Sequence, residues 1–154
     1  MSGGHDAFIR WRSDGRFTDG GYSRAHEWRF DGGQVVRGSS SPSLVPEPRS
    51  DPFGVDPEEA LVASVASCHM LWFLDLARRA GLDVTSYEDD AAGTMGRVGE
   101  GRYALTRVTL RPRIAFEGRT PDAAELDALH AEAHDRCFIA NSLKTEVVVE
   151  AVQS

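Results

Sequence analysis

Cysteine is scarce in this sequence, and the closely spaced CxxC pairs typical of structural zinc sites are missing. The 154 residues include only two cysteines, Cys68 and Cys137, which stand far apart in the chain. A protein in a reducing compartment is not expected to hold a permanent structural disulfide. If the two thiols meet in the fold, we therefore interpret them as a transient or catalytic pair.

Clusters of positive charge and long apolar runs are also missing. The chain has 17 Lys and Arg against 24 Asp and Glu, a net charge of -7, and such an acidic surface repels the phosphate backbone of nucleic acids. No apolar run approaches the ~20 residues that span a bilayer, and residues 1–17 lack the apolar core of a secretory signal. The sequence therefore predicts a cytoplasmic protein that binds neither nucleic acid nor membrane.

Motifs for nucleotide cofactors and for serine nucleophiles are not found. The glycines lack the strand-to-helix context of a phosphate loop, and no GxSxG motif occurs. No cofactor is expected. The length of the chain allows one domain with a substantial core, so we assign residues 1–154 to a single domain.

The order of predicted elements indicates an α+β fold rather than a regular βαβ alternation. A loop rich in Pro, Ser and Gly covers residues 39–55, and a loop of this length is often functional. A second helix is predicted over residues 120–137, with Thr120 as its cap, Pro121 in its first turn and a buried stripe of Leu126, Leu129 and Ala133. The predicted strands are residues 7–12, 22–30, 34–38, 82–98, 102–117 and 145–152.

The long central helix has clear start and stop signals. Asp56 is a suitable N-cap, Pro57 suits the first helical position, and Glu59 completes a capping box. The helix extends to about Ala80, where Gly81 ends it. Residues 60–74 are apolar or small on nearly every face, which predicts burial on all sides. A small domain achieves this if one face packs on its own sheet and another on a second copy, so we expect a homodimer.

Cys68 lies at the centre of this apolar helix. Most free cysteines in such a place are buried fillers. The alternative is a reactive thiolate, which needs a nearby cation or several hydrogen-bond donors. His69 is adjacent in sequence, but successive helical residues point about 100° apart, so it is not automatically the partner.

Glu58 precedes Cys68 by ten residues, which places it ~15 Å away along a straight helix. If two such helices cross antiparallel near Ala63, however, residue 58 of one copy approaches the level of residue 68 of the other. The alternative is a solvated first-turn acid favoured by the helix dipole.

Cys137 follows the second helix and precedes a turn. A cysteine that can move there suits a resolving thiol, which condenses with a sulfenic acid. His130 and His134 are four residues apart on one helix face, so they form a conceivable zinc site with Cys137. No third histidine has a suitable local spacing, and histidines on an alanine-rich helix are more often surface residues.

Two motifs together resemble the OsmC family, which includes the organic hydroperoxide resistance proteins. They are "DPEEALVASVASC" and "AHDRCFIANSLKTEVVV", and the resemblance covers almost the whole chain. The segment "YSRAHEWRF" and the long loop depart from the common pattern and indicate a divergent subgroup. The resemblance implies antiparallel sheets around a buried central helix, in an interlocked homodimer.

The resemblance also implies roles for particular residues. Cys68 matches the peroxidatic cysteine, Cys137 the resolving cysteine, and Glu58 the acid that orients an arginine near the thiolate. We assign that arginine to Arg24, with Arg12 and Arg16 as alternatives.

The implied function is thiol-dependent reduction of organic hydroperoxides in oxidative or osmotic stress defence. It proceeds through a Cys68 sulfenic acid and a Cys68–Cys137 disulfide, which an external dithiol reduces. Leu71, Trp72, Phe73 and Phe138 are candidates for an apolar entrance. The alternative function is a non-enzymatic protein that binds a lipid-like or thiol ligand on the same fold.

Overall fold

The computed structural model describes residues 4–151. The chain divides into two compact units, before and after the Ala60–Leu61 bond. The assignment of the whole chain to a single domain stays a prediction.

The first unit contains a three-stranded antiparallel sheet of β1 (Ala7–Arg10), β2 (His26–Phe30) and β3 (Val35–Gly38), in that order. Gly33 takes a positive φ of 83° in the turn between β2 and β3, a conformation that favours glycine. β2 begins four residues later than predicted, because the backbone N–H of Arg24 donates to the carbonyl of Arg49 (2.8 Å) instead of to a neighbouring strand.

The loop over residues 39–55 is closed at its base. Ser39 N donates to Val55 O (3.0 Å), and Val55 N donates to Arg37 O (2.9 Å). Inside the loop, Asp51 N donates to the Ser39 hydroxyl (2.9 Å), and the Asp51 carboxylate pairs with Arg37. These bonds join the two ends of the loop, as in a compact Ω-loop.

The first helix, α1 (Pro57–Arg79), begins and ends where the sequence predicts. Glu59 N donates to Asp56 Oδ1 (2.7 Å) and Asp56 N donates to Glu59 Oε2 (3.1 Å), which is the reciprocal pair of a capping box. Gly81 follows with φ 73°.

Only one side of α1 is buried within the single chain. The buried residues recur at helical spacing and are Val65, His69, Phe73, Leu76 and Ala77. Ala63, Ser64, Ser67 and Leu71 are exposed instead. Burial on all sides would require a second copy, so the homodimer stays a proposal.

By length and composition alone, α1 could cross a membrane, with a mean hydropathy of 1.6. We looked in the sequence for an uninterrupted apolar run and therefore did not identify α1. The mean hydropathy of the helix is high even though small polar residues stand between the apolar ones. The core helix of a soluble protein passes the same test, so the observation is weak evidence for a membrane span.

The second unit contains more strands than predicted, because two predicted strands each divide into two. β4 (Asp83–Asp89) pairs with β7 (Pro112–Glu117), and β5 (Ala92–Gly99) pairs with β6 (Arg102–Leu110), so each segment passes from one sheet to another. The two crossings are tied together by a hydrogen bond from Arg111 N to Asp89 Oδ1 (2.7 Å).

The last strand, β8 (Glu146–Val149), lies parallel to β6. All the other strand pairs in the described part of the chain are antiparallel. The α+β class with antiparallel sheets and a central helix is therefore confirmed, with this one parallel pair.

The second helix, α2 (Ala123–Arg136), begins later than predicted. Its N-cap is Asp122, whose Oδ1 accepts from Glu125 N (2.8 Å), so Thr120 is not the cap and Pro121 precedes the helix. The predicted stripe is confirmed: Leu129 and Ala133 are buried in a core with Phe73 of α1, and Leu126 packs against it. A short helix, α3 (Phe138–Asn141), follows.

Candidate active site

The two cysteines meet within the second unit. Cys68 is half-buried in the middle of α1, whereas Cys137 is only 1% exposed at the junction of α2 and α3. The Cys68 thiol lies close enough to Cys137 to raise the pKa of Cys137. The sequence left open whether these cysteines come together, and the structure brings them together in the reduced state.

Cys137 is held as a thiol. Burial, together with the neighbouring Cys68 thiol, raises the pKa of Cys137 to about 11, against the opposing effect of backbone donors. One of those donors is Ala140 N, 3.4 Å from the Cys137 sulfur. A thiolate is the nucleophile in cysteine chemistry, so the protonated Cys137 is the less suitable of the two to attack first.

Aromatic residues stand near both cysteines in the chain: Trp72 comes one helical turn after Cys68, and Phe138 follows Cys137 directly. The Trp72 and Phe138 rings meet edge to face, with their centroids 5.6 Å apart, and the Arg136 guanidinium lies 5.6 Å from the Trp72 ring. Leu71 and Phe138 are 62% and 55% exposed. Phe73 is fully buried in the core, so the expectation that it lines an entrance is wrong.

The histidines near the cysteines form a buried pair. His69 Nε2 lies 3.0 Å from His130 Nδ1, and the two rings are stacked. Burial lowers the pKa of each histidine to about 4, so both are neutral near pH 7 and neither supplies a cation to Cys68. His130 is only 4% exposed, so the prediction of a surface histidine is wrong there.

The zinc alternative gains no support from the geometry. Across residues 4–151, no group of three or more His, Cys, Asp or Glu side chains is arranged to hold a metal ion. The spacing of His130 and His134 is instead explained in part by packing, because His130 stacks on Phe73 (4.6 Å).

Arg24 and Glu58 line one pocket within the first unit. Its volume is about 400 Å³. Aromatic and aliphatic side chains form much of the wall, with three consecutive serines from the long loop. The remaining lining residues are Ile9, Trp11, Tyr22, His26, Ser39, Ser40, Ser41, Leu44 and Pro57. A pocket with an apolar wall and a few charged groups is the usual form of a small-molecule site.

The Arg24 side chain is held by its own segment. Its Nη1 donates to the carbonyls of Gly20 (3.3 Å) and Tyr22 (2.5 Å), and its guanidinium lies 3.7 Å over the Tyr22 ring. The alternative Arg16 pairs with Asp14 (3.2 Å) and is exposed. Of the three candidate arginines, Arg24 alone lines the pocket with Glu58.

Sequence reasoning missed several pocket residues. The three loop serines were not singled out, because the loop over residues 39–55 was interpreted only from its content of Pro, Ser and Gly. His26 and Trp28 carried a signal that was not used: two residues apart on a strand, they point to the same face, and Trp28 Nε1 donates to His26 Nε2 (2.6 Å). The Arg49 carbonyl that holds Arg24 is a backbone group and leaves no mark in the sequence.

Comparison with known proteins identifies the family. The family model described as OsmC-like protein matches residues 49–152, which is more than half of the chain. The chain belongs to the OsmC-like protein family. This membership confirms the resemblance found in the two cysteine-containing motifs.

Individual relatives agree with this assignment. Peroxiredoxin OsmC of Escherichia coli (strain K12) is 28% identical over 97 residues, which are 63% of this chain and 66% of that protein. The chain therefore spans just under two thirds of this curated relative. A solved structure from Vibrio cholerae, an OsmC-like protein of unknown function, is 45% identical, with a TM-score of 0.94 over 98% of this chain and 100% of its own.

A more distant solved structure shows the fold alone. It is an organic hydroperoxide resistance protein from Elizabethkingia anophelis, 18% identical, with a TM-score of 0.71 over 98% of this chain and 95% of its own.

Proposed function

We propose that this protein is a cysteine-based peroxidase that reduces organic hydroperoxides in stress defence. The observation that carries the proposal is the proximity of Cys68 to Cys137, whose pKa Cys68 raises. Two thiols that are neighbours in the reduced state can form a disulfide with little movement of the backbone. The names of two relatives, a peroxiredoxin and an organic hydroperoxide resistance protein, support the same chemistry.

In the first step, the Cys68 thiolate attacks the distal oxygen of the hydroperoxide. The O–O bond breaks, the alkoxide takes a proton and leaves as an alcohol, and Cys68 becomes a sulfenic acid. Cys68 is the attacking residue because it is accessible, whereas Cys137 is buried and protonated.

Arg24 and Glu58 assist this step in the proposed homodimer. Two α1 helices that cross antiparallel near Ala63 bring residue 58 of one copy level with residue 68 of the other. Arg24 then stabilises the thiolate and the charge that develops on the leaving oxygen, and Glu58 orients Arg24. The exposed small residues of α1 give a second copy a face on which to pack.

In the second step, Cys137 attacks the sulfenic acid of Cys68. A disulfide forms and water leaves. An external dithiol then reduces the disulfide by two exchange reactions and becomes a disulfide itself. The cycle needs no cofactor, and we propose that it takes place in the cytoplasm without nucleic acid or membrane partners.

A ligand-binding protein is the second candidate function. The pocket lined by Arg24 and Glu58 favours it, because its largely apolar wall suits a small organic molecule. In that case Cys68 and Cys137 would be packing residues.

Intact-mass measurement after one equivalent of an organic hydroperoxide separates the two functions. The peroxidase predicts that the wild type loses two hydrogens and that Cys68→Ser does not. Two thiols that stay free in the wild type would overturn the peroxidase and leave ligand binding.

A further inference from the structure

His26 lies in the pocket beside Arg24 and has no role in the proposed chemistry so far. Its Nδ1 lies 2.7 Å from the Arg24 carbonyl, and its Nε2 lies 2.6 Å from Trp28 Nε1. Both ring nitrogens therefore have protein partners, and one of those partners is the backbone of the candidate catalytic arginine.

The chemistry of the two partners fixes the state of the ring. An indole N–H is only a donor, so His26 Nε2 must accept and carry no proton. A carbonyl is only an acceptor, so Nδ1 must carry the proton and donate it. The two hydrogen bonds therefore select the Nδ1–H tautomer of His26, with Trp28 deciding which nitrogen carries the proton.

The neighbouring strand is shaped to allow this arrangement. Gly38 pairs with His26 across β2 and β3. A Cβ at residue 38 would lie 2.6 Å from both His26 Nε2 and Trp28 Nε1, which is closer than real Cβ contacts. Gly38 thus leaves the space in which the hydrogen bond between His26 and Trp28 forms.

Both backbone polar groups of Arg24 have hydrogen-bond partners, one distant in sequence and one two residues away. Arg49 O accepts from Arg24 N (2.8 Å), and His26 Nδ1 donates to Arg24 O. The guanidinium of the same residue lies 3.7 Å over the Tyr22 ring, so the backbone that these two bonds hold is the backbone that carries the stacked side chain.

We propose that His26 is a positioning residue for Arg24: its Nδ1–H tautomer, selected by Trp28, holds the Arg24 backbone and so places the guanidinium in the pocket. The expected effect on peroxidase kinetics rests on the proposed function. The hydrogen bonds and the tautomer of His26 involve only residues of the first unit and do not depend on that function.

The first test is kinetic. His26→Phe keeps a ring but removes both hydrogen bonds, and we expect kcat/KM for an organic hydroperoxide to fall ~10- to 100-fold, since small displacements of a catalytic group have effects of this size. His26→Asn offers an amide N–H near the position of Nδ1 and should recover most of the loss. His5→Phe, a change at an exposed histidine, is the matched control.

A double variant separates positioning from a general loss of structure. In the Arg24→Ala background, His26→Phe should change kcat/KM by less than about two-fold, because the group that it positions is gone. An equal loss in both backgrounds would overturn the proposal.

Imidazole ¹⁵N NMR tests the inference without any activity. At neutral pH, His26 should show a protonated Nδ1 and an unprotonated Nε2, and Trp28→Phe should relax this preference. A protonated Nε2 in the wild type would overturn the proposal even if the peroxidase is active. Failure of hydroperoxide to oxidise the wild type would instead remove the proposed function and leave this result standing.

Discussion

His69 and His130 form a stacked, hydrogen-bonded pair inside the second unit, 3.0 Å from ring nitrogen to ring nitrogen. One nitrogen must donate and the other accept, and burial keeps both rings neutral near pH 7 by lowering the pKa of each to about 4. Phe73 covers His130 on one side, at a centroid distance of 4.6 Å. A proton added to either ring would place a charge in this apolar setting.

The pair should make stability depend on pH. Burial lowers the pKa of both His69 and His130 from 6.5 to about 4, so between these values the unfolded chain binds more protons than the folded one. This contribution to stability is therefore full above about pH 6.5 and is lost as pH falls towards 4, by up to ~3 kcal/mol per histidine.

Urea unfolding at several pH values from 7 to 4 measures this effect. His130→Phe should flatten the pH dependence, whereas His5→Gln, at an exposed histidine, should leave it close to that of the wild type. The same slope in all three proteins would show that other groups cause the pH dependence.

The cysteine pair leads to a prediction about the resolving step. Cys137→Ser should leave a lasting sulfenic acid on Cys68 after hydroperoxide, because no thiol is in contact to condense with it. Labelling with dimedone and peptide mapping would detect the sulfenic acid, with Cys68→Ser as the unlabelled control. Undiminished turnover of Cys137→Ser with a dithiol would make Cys137 a bystander.

The choice among the arginines is testable in the same way. Arg24→Ala should reduce kcat/KM for an organic hydroperoxide by ~10²- to 10³-fold, the usual cost of losing a group that stabilises transition-state charge. Arg16→Ala removes an exposed arginine that pairs with Asp14 and is the matched control. If the two variants lost activity equally, Arg24 would have no special role. Stopped-flow oxidation of Cys68 would give the rates.

The start of α2 provides a test of a corrected expectation. Asp122 caps the helix through a 2.8 Å bond from Glu125 N, whereas Thr120 lies outside it. Asp122→Ala should cost about 1 kcal/mol of stability, and Thr120→Ala should cost close to nothing. Urea unfolding of both variants decides, and a larger loss for Thr120→Ala would restore the sequence-based assignment.

Features set by neighbouring residues were predictable from the sequence. The capping box of Asp56 and Glu59 and the stop at Gly81 depend on local chemistry, and both occur as predicted. The cap of α2 was ambiguous, because Thr and Asp are both good caps and stand two residues apart.

Features set by distant residues were not predictable. The division of two predicted strands coincides with a bond from Arg111 N to the Asp89 carboxylate, 22 positions away. Arg24 was chosen by resemblance among three arginines, and its neighbours in the pocket come from two strands, the loops and a helix start. A single sequence does not show which distant segments come together in the fold. It also does not show which residue donates a hydrogen bond to a given backbone carbonyl.

A single charged substitution on the exposed face of α1 tests the proposed homodimer. Ala63 is exposed in the single chain and lies at the proposed crossing of the two helices. Ala63→Arg should therefore leave the folded monomer intact but weaken the dimer, since a buried arginine without a partner is costly to desolvate. Activity should fall with the dimer, because Arg24 and Glu58 would no longer reach Cys68 of a second copy.

Ala128→Arg is the matched control for this change, because Ala128 is an exposed alanine on α2. Sedimentation velocity should show a dimer for the wild type and Ala128→Arg, and a monomer for Ala63→Arg at the same concentration. A dimer that survives Ala63→Arg would place the interface elsewhere. A monomer that keeps full peroxidase activity would show that Arg24 and Cys68 act within one chain.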